Sequence, residues 1–233
     1  MFDSINEAKK TITVLKHTLQ RKGENTDTEV FGIISALQQM LDIAEAVDQQ
    51  EQVLSPKEIN EIGENGLKLI DNLVYKFATQ DLNLHVQDVG QVALVVAQWI
   101  ISHHGRLTNI QSVVDGLAYL ANALRDKAAL SQFATFMGEV AHACSDAIKR
   151  DLDNSNPSRP WRILNINRGI VATRSHNLEQ MQSVFIDLIQ AIPMDAPRFF
   201  QEGMSEMVKL NYPEPVCELM QEFYEQTKLP AVH

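Results

Sequence analysis

Four arginines in one short segment are the residues of this sequence best suited to bind an anion. The segment runs from residue 154 to 177, NSNPSRPWRILNINRGIVATRSHN, and contains no Asp or Glu, although the chain has a formal net charge of -10. Its basic residues are Arg159, Arg162, Arg168 and Arg174. A planar guanidinium group suits two-pronged hydrogen bonding to a carboxylate or a phosphate. The segment therefore indicates either a site for an anionic ligand or internal partners for the chain's own carboxylates.

The helical positions of these arginines favour the internal role. The side of the segment expected to be buried consists of Trp161, Ile163, Leu164, Ile166, Ile170 and Val171. Arg162 and Arg168 fall at the edges of that side, where arginines most often bind carboxylates of adjacent helices. In the alternative, the four arginines and Trp161 hold a small phosphate-bearing or acyl ligand.

Other combinations of reactive side chains have simpler interpretations. Glu139 and His142 have the three-residue spacing of helical di-iron ligands, but the sequence lacks the second pair that such a site needs. His103 and His104 are expected near a helix end, where histidine interacts favourably with the helix dipole. Cys144 falls on an apolar stripe and is expected to be buried. We therefore predict no metal, no cofactor and no catalytic residue.

Sequence motifs and composition favour a non-enzymatic, cytoplasmic protein. No nucleophile elbow, phosphate-binding glycine loop or HExxH motif occurs. The two cysteines, Cys144 and Cys217, lie far apart in a chain long enough to form a core without cross-links, which favours reduced thiols. The apolar run over residues 92–101 is too short for a membrane span, which needs about 20 residues. We expect no contact with a membrane.

Acidic residues are concentrated on two predicted helix faces. They are Glu58, Glu61 and Glu64 in one helix, and Glu218, Glu222 and Glu225 in another. Such rows are solvated surfaces first, but they also attract basic partners. They are our candidate interaction surface. With a pI of about 5.1 the whole chain would repel a polyanion, so no nucleic-acid partner is predicted.

The spacing of apolar residues predicts helices from end to end. These residues recur at steps of three and four along nearly the whole chain, and no segment alternates with period two. Ser55, Pro56 and Glu58 form a predicted capping box, and Thr108 and Asn177 are predicted N-caps of two later helices. The expected fold is all-α, with about ten antiparallel helices stacked as helical hairpins in a short superhelix or, alternatively, a closed bundle.

The helices are expected to differ in length along the chain. Residues 1–152 form a predicted long-helix region with six helices, and residues 153–233 form a short-helix region that contains the arginine segment. Between them the stretch over residues 151–160, DLDNSNPSRP, is polar and rich in turn residues. Both regions are expected to belong to one continuous domain.

Two functions remain open on these grounds. The first is a non-catalytic protein–protein interaction protein of the scaffold or adaptor type, whose acidic surfaces meet a protein partner of basic character. The alternative is a helical domain that binds a small anionic or acyl ligand through the arginine segment. Residues that could line such a pocket, although they more often form core, are Met194, Phe199, Phe200, Met204, Met207, Met220 and Phe223. Homo-oligomerisation is left open.

Overall fold

The structure, a computed structural model, describes residues 4–21, 28–79 and 85–228, which consist mostly of helices joined by loops. They contain eleven helices and no strand, and one isolated β-bridge joins Leu107 to Cys144. The helices are α1 (Ile5–Arg21), α2 (Thr28–Asp48), α3 (Pro56–Thr79), α4 (Val86–Ser102), α5 (Gln111–Ala123), α6 (Lys127–Ala143), α7 (Asp146–Lys149), α8 (Pro160–Ser175), α9 (Leu178–Ala191), α10 (Ala196–Leu210) and α11 (Glu214–Thr227). The predicted all-α class is confirmed, with eleven helices where about ten were expected.

Two helix starts follow the predicted capping. At the start of α3, the Glu58 carboxylate accepts a hydrogen bond from the backbone N–H of Ser55 at 2.8 Å. The Ser55 hydroxyl accepts one from the N–H of Glu58 at 3.4 Å, which completes the capping box. The Asn177 side chain accepts a hydrogen bond from the N–H of Gln180 at 3.2 Å and caps α9. Both predictions are confirmed.

The start of α5 differs from the prediction. Asn109 Oδ1 accepts a hydrogen bond from the N–H of Gln111 at 3.3 Å, and Asp71 Oδ1 accepts one from the N–H of Ser112 at 3.2 Å. The predicted cap at Thr108 is therefore wrong. The acceptors come from the next residue and from α3, 41 residues away in sequence, which local spacing could not reveal.

The chain divides into two compact units, and the first contains residues 1–119 and 143–145. In this unit α1 packs against α2, α2 against α3, and α3 against α4. Because α1 also packs against α4, these four helices close into a bundle, which is the architecture that the sequence left as an alternative. α4 is buried on nearly all sides between Val89 and Ile100, as its apolar run predicts.

One described helix, α2, is long and apolar enough to cross a membrane by length and composition. Core helices of globular proteins share these properties. In unit 1, α2 packs against α1 and α3, and its buried residues include Ile34, Leu37 and Leu41. This packing indicates that α2 is a core helix of unit 1.

The second unit contains residues 120–142 and 146–233. Its core includes four phenylalanines whose ring centroids lie 5.1–5.9 Å apart, most of them edge to face. They are Phe185, Phe199, Phe200 and Phe223. Met194, which was predicted either to line a pocket or to form core, is instead 80% exposed.

The limit between the two units along the chain lies at residues 119 and 120, within α5. The sequence analysis instead divided the chain after residue 152, into a region of long helices and a region of short ones. The two divisions differ. The single continuous domain stays a prediction.

Candidate functional site

Arg159 is buried among carboxylates at the start of α8. Its side chain is 5% exposed. Nε donates to Asp151 Oδ1 at 2.6 Å, and Nη2 donates to Asp151 Oδ2 at 2.8 Å and to Asp195 Oδ2 at 2.5 Å. The hydrogen bonds to Asp151 and then to Asp195 outweigh the effect of burial and raise the pKa of Arg159. Arg159 is an internal partner for two acids.

Asp195 is shared with a second arginine of the segment. Arg162 Nε donates to Asp195 Oδ1 at 2.7 Å, and Arg162 Nη1 donates to the Pro157 carbonyl at 3.1 Å. Burial acts to raise the pKa of Asp195, but the hydrogen bonds from Arg162 and Arg159 outweigh it and hold this pKa below its ordinary value. The cluster ties the start of α8 to the start of α10.

Arg168 binds two neighbouring helices. Nη1 donates to Asp187 Oδ2 of α9 at 2.8 Å, and Nε donates to the Ala134 carbonyl of α6 at 3.4 Å. Its guanidinium packs on Gly138, where an added Cβ would lie 2.8 Å from Nη2. Like Arg159 and Arg162, Arg168 fulfils the expected internal role.

Arg174 departs from that expectation. Nη1 donates to the Ala121 carbonyl and Nη2 to the Leu124 carbonyl, both at 2.6 Å. Ala121 lies in the last turn of α5 and Leu124 directly follows this helix, so Arg174 lies at the helix C-terminus, where a cation interacts favourably with the helix dipole. No carboxylate of the described residues lies within 4.0 Å of Arg174. The expectation that all four arginines pair with carboxylates is therefore wrong for this one.

Trp161, which was predicted beside the arginines as a ligand-binding residue, lies in the core. The side chain is buried, and its Nε1–H donates to the Ala191 carbonyl of α9 at 3.1 Å. The indole thus joins α8 to the end of α9.

The side chains of the first acidic row are paired, mostly with residues of α3 or its N-cap. Glu58 belongs to the capping box, Glu61 lies 3.6 Å from Lys57 Nζ, and Glu64 lies 2.6 Å from Lys68 Nζ. Hydrogen bonds from Lys68, and next from Thr108, lower the pKa of Glu64.

The second acidic row is exposed on α11. Glu218, Glu222 and Glu225 all face solvent. Gln226 donates to Glu222 at 3.2 Å and Gln221 donates to Glu225 at 2.8 Å. The role of both rows as an interaction surface stays a prediction.

An apolar groove lies between α8 and α10 in unit 2, with Met220 of α11 contributing to its lining. We call it the α8–α10 groove, and its volume is about 340 Å³. Its lining residues are Arg162, Ile166, Ile170, Thr173, Arg174, Arg198, Phe199, Glu202, Gly203, Glu206, Met207, Leu210, Tyr212 and Met220. Arg159, Trp161 and Arg168 are outside this lining. The structure thus separates the predicted ligand residues into two sets.

Ile170 and Leu210 expose apolar surface in this groove. Ile170 was predicted on the buried side of its helix, but it is 42% exposed, so that prediction is wrong. Leu210 is 62% exposed. Phe199, Met207 and Met220, in contrast, are buried and present only part of their surface to the groove.

Most charges along the groove are already paired. Arg198 Nε lies 2.7 Å from Glu202 Oε1, and Lys209 Nζ lies 2.6 Å from Glu206 Oε1. Arg162 binds Asp195, as described above. Arg174 is thus the groove arginine whose described contacts include no carboxylate.

Tyr212 adds a polar group to the same lining. Burial raises the pKa of its phenol, and the positive charge of Arg174 partly offsets that effect. The phenol is therefore neutral at pH 7 and able to donate a hydrogen bond. The Tyr212 ring packs against His176, with centroids 5.2 Å apart.

The groove was only partly visible in the sequence. Arg162 and Arg174 were selected there for their charge, and Phe199, Met207 and Met220 for their type. Ile170, Leu210 and Tyr212 have no distinguishing local signal, because any helix can place an apolar residue on a wall of this kind. Among the described residues, no group of three or more His, Cys, Asp or Glu could hold a metal ion.

Comparisons of this chain with protein-family models, with curated proteins and with solved structures found no match.

Proposed function

We propose that this chain is a non-catalytic binding protein and that the α8–α10 groove takes up the apolar body of a small amphipathic ligand. The observation that carries the proposal is the partly exposed apolar wall of Ile170 and Leu210, continuous with buried Phe199, Met207 and Met220. Small-molecule sites are mostly apolar clefts with a few polar groups and volumes of roughly 300–1,000 Å³. The groove, at about 340 Å³, fits the lower end of that range.

The side chains of the groove suit an apolar ligand of variable shape. Methionine is unbranched and polarizable, so Met207 and Met220 can adapt to different alkyl chains. Gly203 leaves room beside Met220, because a Cβ at this position would lie 3.0 Å from Met220 Cε.

A pair of isoleucines tests this function. Ile170 lines the groove, whereas Ile186 on α9 lies outside it with a similar exposure, 45% against 42%. Titration with the neutral dye Nile red should show binding to the parent protein and to Ile186→Glu. Ile170→Glu should bind at least about tenfold more weakly, since a buried charge would have to be desolvated. Equal binding by both variants, or no binding by the parent protein, would contradict the proposal.

A second function, protein–protein interaction, is favoured by the exposure of Leu210. A partner protein can lay the apolar face of an amphipathic helix between two helices. An amphipathic helical peptide that displaces Nile red from the parent protein at lower concentration than decan-1-ol would support this second function over the first.

A further inference from the structure

We propose that the ligand of the α8–α10 groove carries a single anionic head group, and that Arg174 binds this head group while the groove holds an alkyl chain. The inference rests on the proposed function and specifies the class of ligand. The head-group chemistry shared by the candidates is an oxyanion, either a carboxylate or a phosphate monoester.

Arg174 is held in position and retains donors for a ligand. Its two hydrogen bonds to Ala121 and Leu124 are both 2.6 Å long. A guanidinium group has five N–H donors, so these two bonds leave three. An arginine fixed in this way loses little conformational entropy when it binds an oxyanion.

The charges along the groove favour one negative charge on the ligand. The Arg198–Glu202 and Lys209–Glu206 pairs each neutralise themselves. Arg162 belongs to a cluster in which it and Arg159 are balanced by Asp151 and Asp195. Arg174 adds one positive charge with no carboxylate of the described residues within 4.0 Å. A second negative charge, which a phosphate monoester largely carries at pH 7, would meet Glu202 and Glu206 in the same groove, so of the two oxyanions a carboxylate is favoured.

Tyr212 supplies a second donor in the same lining as Arg174. Both residues line the groove, and the charge of Arg174 acts on the Tyr212 phenol. The contact with His176 orients the Tyr212 ring. A hydrogen bond from a neutral hydroxyl to an anionic ligand is stronger than one between two neutral groups.

The apolar wall sets the expected effect of chain length. Each methylene buried by the groove contributes about 0.8 kcal/mol, so affinity should rise roughly fourfold per added carbon until the groove is filled. The residues that would contact the ligand's alkyl chain are Ile166, Ile170, Phe199 and Met207.

Four compounds with the same ten-carbon chain test the head group: decanoate, decyl phosphate, decan-1-ol and decyltrimethylammonium. Displacement of Nile red from the parent protein measures their affinities. At least one of the two anions should bind about tenfold or more tightly than both the alcohol and the cation. The tighter anion identifies the head group.

Variants assign this preference to Arg174. Arg174→Gln should bind the anions no more tightly than decan-1-ol, while its affinity for decan-1-ol stays unchanged. Arg150→Gln, which removes an exposed arginine outside the groove, should keep the preference. If Arg174→Gln loses its helical circular dichroism, Tyr212→Phe replaces it and should weaken decanoate binding at least about threefold with no effect on decan-1-ol.

Two results would overturn the inference. One is equal affinity of the parent protein for all four compounds, which leaves the proposed function standing because the groove still binds an alkyl chain. The other is a preference for anions that survives in both Arg174→Gln and Tyr212→Phe. Failure of Nile red and of every decyl compound to bind would instead remove the proposed function itself.

Discussion

At the scale of single residues, the arginines of the 154–177 segment show that identical side chains acquire different roles from their surroundings. Arg159 is surrounded by Asp151, Asp195 and the Asn156 carbonyl, which satisfy its donors in the interior. Arg174 meets helix carbonyls, which accept hydrogen bonds without supplying a full negative charge. The first arrangement stabilises the fold, and the second leaves a positive charge beside an apolar groove.

The buried position of Arg159 makes a strong stability prediction. Arg159→Ala would leave Asp151 and Asp195 with fewer partners in a partly buried site, so we expect the free energy of unfolding to fall by about 3–5 kcal/mol. Arg150→Ala, which removes an exposed arginine one residue before Asp151, should change it by less than about 0.5 kcal/mol. Urea denaturation measures both. Equal losses for the two variants would show that the Arg159 cluster does not stabilise unit 2.

His176 predicts a dependence of stability on pH. Burial, and secondarily the charge of Lys127, lower the pKa of His176 below its ordinary value of 6.5. Between the lowered pKa and 6.5 the unfolded chain binds more protons at this residue than the folded chain does. Stability from this residue is therefore fully present above pH 6.5 and is lost as the pH falls towards the lowered pKa.

A matched variant isolates this contribution. His176 ends α8 in a left-handed conformation, with φ 59°, which Asn also tolerates well. Urea denaturation at pH 7.5, 6.5 and 5.5 should show a smaller loss of stability for His176→Asn than for the parent protein. Parallel pH profiles for the two proteins would refute the assignment.

At the scale of helices, close approach between neighbours is set by small residues. Gly90 in α4 faces Gly116 in α5, and a Cβ added at Gly116 would lie 2.6 Å from the Gly90 carbonyl oxygen. Because that neighbour is backbone, a side chain at this position requires the two helices to separate. Gly32 in α2 has no neighbour within 4 Å of its Cβ position.

Alanine substitutions at these two glycines should have opposite effects. Gly32→Ala should raise the free energy of unfolding by about 0.5–1 kcal/mol, because alanine loses less backbone entropy in a helix. Gly116→Ala should lower it by about 1–3 kcal/mol, since overpacking outweighs the same gain. Thermal and urea denaturation provide the measurement. A stabilising Gly116→Ala would mean that α4 and α5 do not touch at this point.

At the scale of the whole molecule, the chain is divided into two compact units, each with one cysteine. Cys144 belongs to unit 1 and is fully buried. Cys217 belongs to unit 2 and is half-buried near the start of α11, with its Sγ 3.6 Å from the Tyr212 carbonyl. The two thiols therefore report on different units.

Thiol labelling should distinguish the two cysteines. With Ellman's reagent at pH 8, the native protein should show one reactive thiol, Cys217, and the denatured protein two, because reaction requires solvent access. Cys217→Ser should show none in the native state and one after denaturation. A rapidly reacting thiol in native Cys217→Ser would contradict the buried position of Cys144.

Local patterns determined much of the helical structure by themselves. The spacing of apolar residues is a property of consecutive residues, so it predicted the all-α class and the buried face of α4. The capping box of Ser55 and Glu58 and the cap at Asn177 also depend on groups three residues apart. Composition likewise marked the arginine segment, and the helical positions of its arginines predicted carboxylate partners, which three of the four have.

Tertiary structure alone decided which partners those arginines meet and where a groove opens. Asp195 reaches Arg159 across 36 residues of sequence, and the Leu124 carbonyl directly after α5 reaches Arg174 across 50. The exposure of Ile170 depends on Gly203 and its neighbours in α10, which leave space where a periodic pattern predicts contact. Helical periodicity specifies which side of a helix is apolar, but the packing of a second helix determines how much of that side is covered.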